Sequence, residues 1–360
     1  VTNQLAILAL AALALGNGSG CGPSSKGSGT GREGGAAAKL DGSGSTFIKP
    51  LMDKWADQFQ SRGVQINYQG GGSGAGKKQM IERAVDFGCT DAFMTDPEIE
   101  KAKNARNGGA VLHVPLAMGG VVPAYNLPKE IDKPLRFTGE VLARIYLGQI
   151  NQWDDPALKE LNPDVRLPNL KIAPVHRSEP SGTTSIFTEF LNTTSPSWQA
   201  SGKKFGTSIS WPDGIGTGQN GSPGVINFVK NTEGGLCYVE LSFALDSDVK
   251  FGAVQNKDNK FVLATPETVS KAAAGATIPE DFRFSLVNPQ PGGEEAYPIS
   301  GTTWAVLYVN QPTDKAKALV QFFTWAIHDG QKIAEQEKYA PLPESLVKRI
   351  EDKLKQIQSK

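Results

Sequence analysis

The chain has 360 residues, with 37 Lys plus Arg against 37 Asp plus Glu, three Cys and three His, and this length suggests about two domains. Zero net charge argues against a basic surface for nucleic acid and against electrostatic adsorption to an anionic membrane; three cysteines exclude a disulfide scaffold. The unusual figure is glycine, at 40 residues, about 11% where ~7% is usual.

In chain order, Leu5–Leu15 is an unbroken apolar run of eleven residues, too short to span a bilayer and suited to the apolar region of an export signal. The small residues 16–20 and then Cys21 follow. This order resembles the signal of a bacterial lipoprotein, in which the cysteine becomes the lipidated N-terminus. A cleaved secreted protein and a structural apolar helix are the alternatives. Residues 1–20 are therefore read as a signal peptide. Residues 21–38, mostly Gly, Ser and Ala with a few charges, are read as a flexible tether.

From Lys39 onward, short strand-like runs alternate with helical patterns. Phe47, Leu51, Trp55 and Phe59 recur every four residues and predict one helix face, with Pro50 in its first turn and Gly63 beyond its end. Val64–Tyr68 alternates as a strand. A glycine-rich turn and a helix over about 75–83 follow, then a strand at Asp86–Thr90. Val111–Tyr125 is a long apolar stretch broken by Gly119-Gly120. Thr138–Leu147 and Ser181–Leu191 read as helices, and Lys171–His176 and Leu236–Glu240 as buried strands. Pro298–Val309 reads as a strand, and Asp314–His328 and Glu344–Gln358 as helices. The alternation predicts an α/β architecture. No Pro-rich linker divides the middle, so two domains would be joined by strands that cross between them.

The strongest local signal is residues 70–78, with five glycines in 70–76. Gly71–Lys77 fits the first seven positions of a P-loop, but the eighth position, which should hold magnesium through Ser or Thr, is Lys78. The physical feature survives the failed motif. Glycines let backbone approach closely, and a helix start presents unpaired N–H groups to an anion. A tight turn with a Ser N-cap is the plain alternative. Two further helix starts carry the same small-residue and hydroxyl chemistry, at Gly42–Phe47 and at Ser181–Thr184. Arg177, after its strand, offers forked donors for an oxyanion, or else a surface pair with Glu179. Asp91, after the strand ending at Thr90, is otherwise a turn or capping aspartate.

Enzyme templates are absent or incomplete. The chain lacks G-x-S-x-G and H-E-x-x-H, and the S-x-x-K matches at Ser201–Lys204 and Ser345–Lys348 lack their companion motifs. His176 reads as a strand-end residue. Cys89 and Cys237 read as small core residues, and the sequence leaves a disulfide between them open. No catalytic residue, metal site or cofactor is assigned.

Eight segments then appear in a telling order: Asp41–Phe47, Asn67–Gly74, Val85–Asp91, Ile145–Gly148, Trp153-Asp154, Arg177–Thr183, Gly235–Glu240 and Tyr297–Thr303. Together they resemble the phosphate-binding proteins of bacterial high-affinity phosphate ABC transporters, over roughly residues 40–347. The resemblance implies a two-lobed periplasmic-binding-protein clamshell, each lobe a mixed sheet flanked by helices. One lobe would comprise 40–116 and 288–360, the other 117–287. It implies inorganic phosphate held by Thr46, Phe47, Ser73 and Asp91 from the first lobe and by Arg177, Ser181, Gly182 and Thr183 from the second. Pro180 offers no N–H to a ligand, and Glu179 is expected to orient Arg177. The expected partners are phosphate and the permease subunits of a transporter, with no nucleic acid, for a monomer in the periplasm or at the cell surface whose Cys21 is lipidated. A phosphate scavenger or related oxyanion receptor without a transporter is one alternative. A surface phosphatase is another.

Overall fold

The computed structural model of the chain describes residues 38–289 and 292–360. The signal peptide expected over 1–20, Cys21 and nearly all of the tether lie outside the described residues. Ala38, the last residue read as tether, already opens the first strand and pairs with Val64.

A single curled sheet organises the structure. Its main strands, in chain order, are β1 (Ala38–Gly44), β2 (Val64–Gly70), β3 (Phe87–Thr90), β4 (Val111–Tyr125), β5 (Ala173–Arg177), β6 (Thr217–Gln219), β7 (Gly235–Glu240) and β8 (Ile299–Tyr308). Across the sheet they run β2-β1-β3-β8-β4-β7-β5-β6. β1 is parallel to β2 and β3, while β8 is antiparallel to β3 and β4. On the other side β7 is antiparallel to β4 and parallel to β5, which is parallel to β6. Strands β3, β7 and β8 are buried along their whole length, as strands covered on both faces require, and so read as apolar runs rather than alternations.

β4 joins the two halves. Its residues 111–120 pair with β8, and residues 121–125 pair with β7. The Gly119-Gly120 step, expected to break this stretch, lies inside a continuous 15-residue strand. Glycine leaves the backbone extended here and removes side chains where partners change. Phe47 and Glu240 take that space, since a Cβ on Gly119 would lie 2.8 Å from Phe47 Cζ and 3.2 Å from Glu240 Oε1. The described residues from Ala38 onward belong to one compact unit.

Four helices matter most for function: α1 (Lys49–Phe59), α2 (Ser73–Ile81), α3 (Gly182–Thr194) and α4 (Gly221–Lys230). α1 buries Leu51, Trp55 and Phe59 along the face its four-residue spacing predicts, and Met52 beside them, with Pro50 in the first turn; Phe47, the first residue of that spacing, lies just before the helix begins. α2 starts and ends two residues before its expected bounds and has Gly72, not a serine, at its N-cap; the Ser73 side chain is engaged elsewhere. The last helix, Glu344–Leu354, ends before Gln358, which instead pairs with Asn310 in a two-residue strand.

Each half of the sheet carries its own aromatic cluster. In the first, Phe87 packs against Tyr68, Phe322 and Phe323 at centroid separations of 6.2, 6.3 and 5.2 Å. In the second, Tyr238 stacks on Phe187 at 4.4 Å and leans on Tyr146 at 5.6 Å. Cys89 and Cys237 are buried free thiols, one in each half, and burial pushes both thiols far up.

Glu240 is the unusual charge of the core. It ends β7 opposite Val121, where β4 changes partners, and is fully buried. Its Oε2 accepts from the Ser242 N–H at 2.9 Å and from the Ser242 hydroxyl, while Oε1 has no partner. Burial pushes its carboxyl up to about 8.

Phe87→Ala should cost about 3–5 kcal/mol, because the ring is large, enclosed and cannot be replaced by local collapse; a lower urea midpoint at unchanged slope would show it. Glu240 makes a second prediction. A carboxyl raised by burial binds its proton more tightly folded than unfolded. Its stabilising share is complete below the ordinary glutamate range and is lost as pH rises toward about 8. Urea unfolding of wild type and Glu240→Gln should therefore diverge over that window, the variant losing less stability, with a slope difference of at most about 1.4 kcal/mol per pH unit. Parallel pH profiles would show that the carboxyl is ionised in the folded state.

Candidate functional site

Parallel strands deliver the segments that follow them to one edge of the sheet, and here those segments meet. Ser45–Phe47 follow β1, Gly71–Ser73 follow β2, and Asp91 follows β3. Arg177 ends β5, and Ser181–Thr183 open α3. They form a buried polar cluster between the two halves.

Asp91 is at the centre of one side. It is 4% exposed, and its carboxylate accepts from Ser45 Oγ at 2.7 and 2.6 Å, Thr303 Oγ1 at 2.5 Å and Ser73 Oγ at 3.1 Å. Burial raises its carboxyl above the ordinary aspartate value, and those three hydroxyls together with the Arg177 charge offset part of the rise. Hydroxyl donors on both oxygens are the geometry of an acceptor carboxylate. Thr303 reaches Asp91 because β8 runs antiparallel to β3: Trp304 pairs with Thr90, and the next step along each strand sets Thr303 opposite Asp91. The neighbouring Trp304 indole N–H donates to the Phe282 carbonyl at 2.7 Å.

Arg177 is at the centre of the other side and is 5% exposed. Its guanidinium reaches Thr46 Oγ1 at 3.0 Å, Thr183 Oγ1 at 3.4 Å and Ser222 Oγ at 3.5 Å. Its Nε donates to Glu179 Oε1 at 2.7 Å, and Nη2 touches the same oxygen. Glu179 Oε1 also accepts the Gly221 N–H at 3.1 Å, so one carboxylate fixes both the guanidinium and the start of α4. The Arg177–Glu179 pair is not the surface one that was one reading of the sequence: the Arg177 side chain is 2% exposed and that of Glu179 15%. Its second oxygen, Oε2, is buried without a partner.

The two sides are stitched together. Thr46 Oγ1 and Ser222 Oγ lie 3.0 Å apart, and the Ser222 N–H donates to Thr46 Oγ1 at 3.2 Å. Gly182 presses against Asp91 and Ser73, where a Cβ would fall 2.6 Å from Asp91 Oδ2 and 2.5 Å from Ser73 Oγ. A cavity of about 360 Å³ opens beside Asp91, lined in part by Lys77, Glu98, Glu189 and Thr302.

Of the eight residues marked in the sequence, Thr46, Ser73, Asp91, Arg177, Gly182 and Thr183 share this cluster directly. Ser181 is buried at its edge as the N-cap of α3: its Oγ accepts the Thr184 N–H at 3.2 Å, and its N–H donates to the Thr207 carbonyl at 2.8 Å. The Phe47 N–H donates to Ser45 Oγ at 3.0 Å, and its ring packs on Tyr339. His176 stands beside Arg177 in β5 and stacks on Trp211 at 5.2 Å. Ser45, Ser222 and Thr303 belong to the cluster and were not marked. Ser45 and Thr303 lie inside segments that carried the family resemblance. Ser222 opens a fourth helix with the same glycine-then-hydroxyl start, in Gly221-Ser-Pro-Gly224.

The cluster has many donors and little net charge. Arg177 is paired by Glu179, and Lys77 is paired with Glu98 at 2.8 Å. An anion held here would be met by hydroxyls, helix-start N–H groups and one compensated guanidinium rather than by excess positive charge.

A PBP superfamily domain model matches residues 28–327. The phosphate-binding protein PstS of Xylella fastidiosa is 39% identical over 318 residues, covering 88% of this chain and 84% of the relative. The chain belongs to the PstS phosphate-binding protein family. Solved structures agree on the fold. A phosphate-binding protein from Stenotrophomonas maltophilia superposes with a TM-score of 0.69 at 20% identity, over 88% of this chain and 94% of that one. An ABC-type phosphate transport receptor from Vibrio cholerae gives 0.54 at 20% identity, over 84% and 100%. The two-lobed α/β fold of this family, with each half-sheet flanked by helices, is the fold of the chain.

Proposed function

We propose that this PstS-family chain is an extracytoplasmic receptor that binds free inorganic phosphate between its lobes and delivers it to an ABC transporter, without catalysing a reaction. The lobes are assigned as 40–116 with 288–360, and 117–287. Residues 1–20 serve as export signal, the residues from Cys21 up to the start of β1 as tether, and Cys21 as lipid anchor at the membrane. Relatives named as phosphate-binding proteins support the ligand, and a structural neighbour described as an ABC-type phosphate transport receptor supports the delivery role. Thr46, Phe47, Ser73, Asp91, Arg177, Ser181, Gly182 and Thr183 are proposed as ligands, and Ser45, Ser222 and Thr303 join them on the geometry above.

The observation that carries this reading is a buried acceptor carboxylate facing a buried guanidinium. A carboxylate beside an anion is unfavourable unless the anion brings its own proton. Phosphate at neutral pH still carries one, and Asp91 can accept its hydrogen bond. Sulfate carries none, so it would leave two acceptors facing each other, a repulsive element against the wrong ligand. Glu179 holds Arg177 in place and balances its charge, so the hydroxyls and helix-start N–H groups carry much of the binding.

Calorimetric titration tests this. Arg177→Ala should weaken phosphate binding at least about 100-fold, since it removes charge-assisted donors from an enclosed site; unchanged affinity would refute the assignment. Asp91→Asn should narrow the preference for phosphate over sulfate by about tenfold or more, because the amide can donate to sulfate. An unaltered ratio would show that the proton argument is misplaced. Sustained release of phosphate from a phosphomonoester by the wild-type chain would contradict a receptor without catalysis.

A further inference from the structure

Where the two halves of the sheet meet around the site, part of the contact is made by glycine backbone. The Gly74 N–H, in the first turn of α2, donates to the Pro180 carbonyl at 3.0 Å. A Cβ on Gly74 would lie 2.5 Å from Pro180 Cβ and 3.2 Å from its Cγ. The pyrrolidine ring cannot rotate away as a longer side chain could. Gly72, at φ +87°, faces the same turn, and a Cβ there would lie 3.0 Å from both Glu179 Cγ and the Pro180 carbonyl oxygen. On β8, a Cβ on Gly301 would lie 2.3 Å from Ile186 Cδ1 of α3. Each contact joins an element of the β1–β2–β3–β8 half to the segment that follows β5.

Helix propensity argues against glycine at position 74, since alanine is the better helix former. Gly76 has a reason within its own half, where a Cβ would strike the Cys89 carbonyl oxygen at 2.5 Å and Gly44 Cα at 2.7 Å. Gly74 meets only Pro180, from the other half. Its N–H is committed to the Pro180 carbonyl, so it is not counted among the phosphate donors.

We infer that Gly74 is a positioning residue for phosphate retention: by admitting Pro180 to contact, it lets the lobes close fully over an anion that it does not touch. The inference rests on the receptor reading above. A ligand that bridges two lobes favours the closed form in proportion to how much better it binds there. A methyl group at position 74 would hold the seam apart on the closed side only. The open form, which phosphate meets first, would be unaffected, so the loss should appear in release rather than capture.

The experiment measures capture and release of radiolabelled phosphate by the full chain. Gly74→Ala should speed release about tenfold or more while capture changes less than about threefold, the pattern of an interface effect on dissociation. Thermal melting without phosphate should match wild type. Pro180→Gly removes the ring and keeps the carbonyl; in that background Gly74→Ala should change release by less than about threefold, as coupling between contacting residues requires. Gly301→Ala, with and without Ile186→Ala, is a second pair on the same seam and should behave alike. Wild-type release from Gly74→Ala, or an equal loss with and without the Pro180 ring, would overturn the inference while leaving phosphate binding by the wild type intact. Failure of the wild-type chain to bind phosphate at all would instead overturn the receptor reading, and this inference with it.

Discussion

A buried carboxylate held by hydroxyl donors is the constraint on which the rest of the site depends. Asp91 is nearly inaccessible, and its oxygens are met by Ser45, Ser73 and Thr303. An ionised group in such a place is costly unless its hydrogen bonds are made. The three hydroxyls come from three different segments, so the arrangement exists only when β1, β2, β3 and β8 are correctly registered. The opposite side follows the same rule. Arg177 is balanced by Glu179, whose carboxylate also fixes the start of α4. Each buried charge thus also fixes the backbone around the ligand space.

The sheet supplies the geometry for this. Parallel strands bring successive helix starts to one edge, which is where open α/β sheets place their ligands. β4 then makes a single sheet serve two halves by changing partners after Gly120. The segments after β1, β2 and β3 face those after β5, and the space between is narrow enough that Gly182 touches both Asp91 and Ser73. An enclosed site of this kind would need little net positive charge to hold an anion, because dipoles that cannot reorient would already be aimed at it. That is consistent with a chain whose formal charge is zero.

Much of this was legible in the sequence, and the failures have physical reasons. The four-residue spacing from Phe47 to Phe59 and the apolar runs of β3, β7 and β8 identified their elements because burial imposes those patterns. The hydroxyl-bearing helix starts were visible because glycine and serine cluster at each of them. Ser222 went unmarked: Pro223 and Gly224 beside it weaken the helix pattern, although proline is tolerated in a helix's first turn. Gly119-Gly120 looked like an interruption because glycine is rare in strands, and only the register shows that the strand passes through while its partner changes. The Arg177–Glu179 pair was ambiguous because two residues two apart on a strand end say nothing about burial. The glycine excess has at least two uses among the described residues: turns and helix starts at the site, and bare contact surfaces where the halves meet.

An acceptor carboxylate inside a donor-rich shell would select an anion that still carries a proton. The most direct test is calorimetric titration of the wild-type chain with phosphate and with sulfate under identical conditions near neutral pH. One phosphate should bind per chain, with a preference over sulfate of about a thousandfold or more, as expected when a buried polar group is left unpaired by the wrong ligand. Comparable affinities for the two anions, or no binding of phosphate, would contradict it.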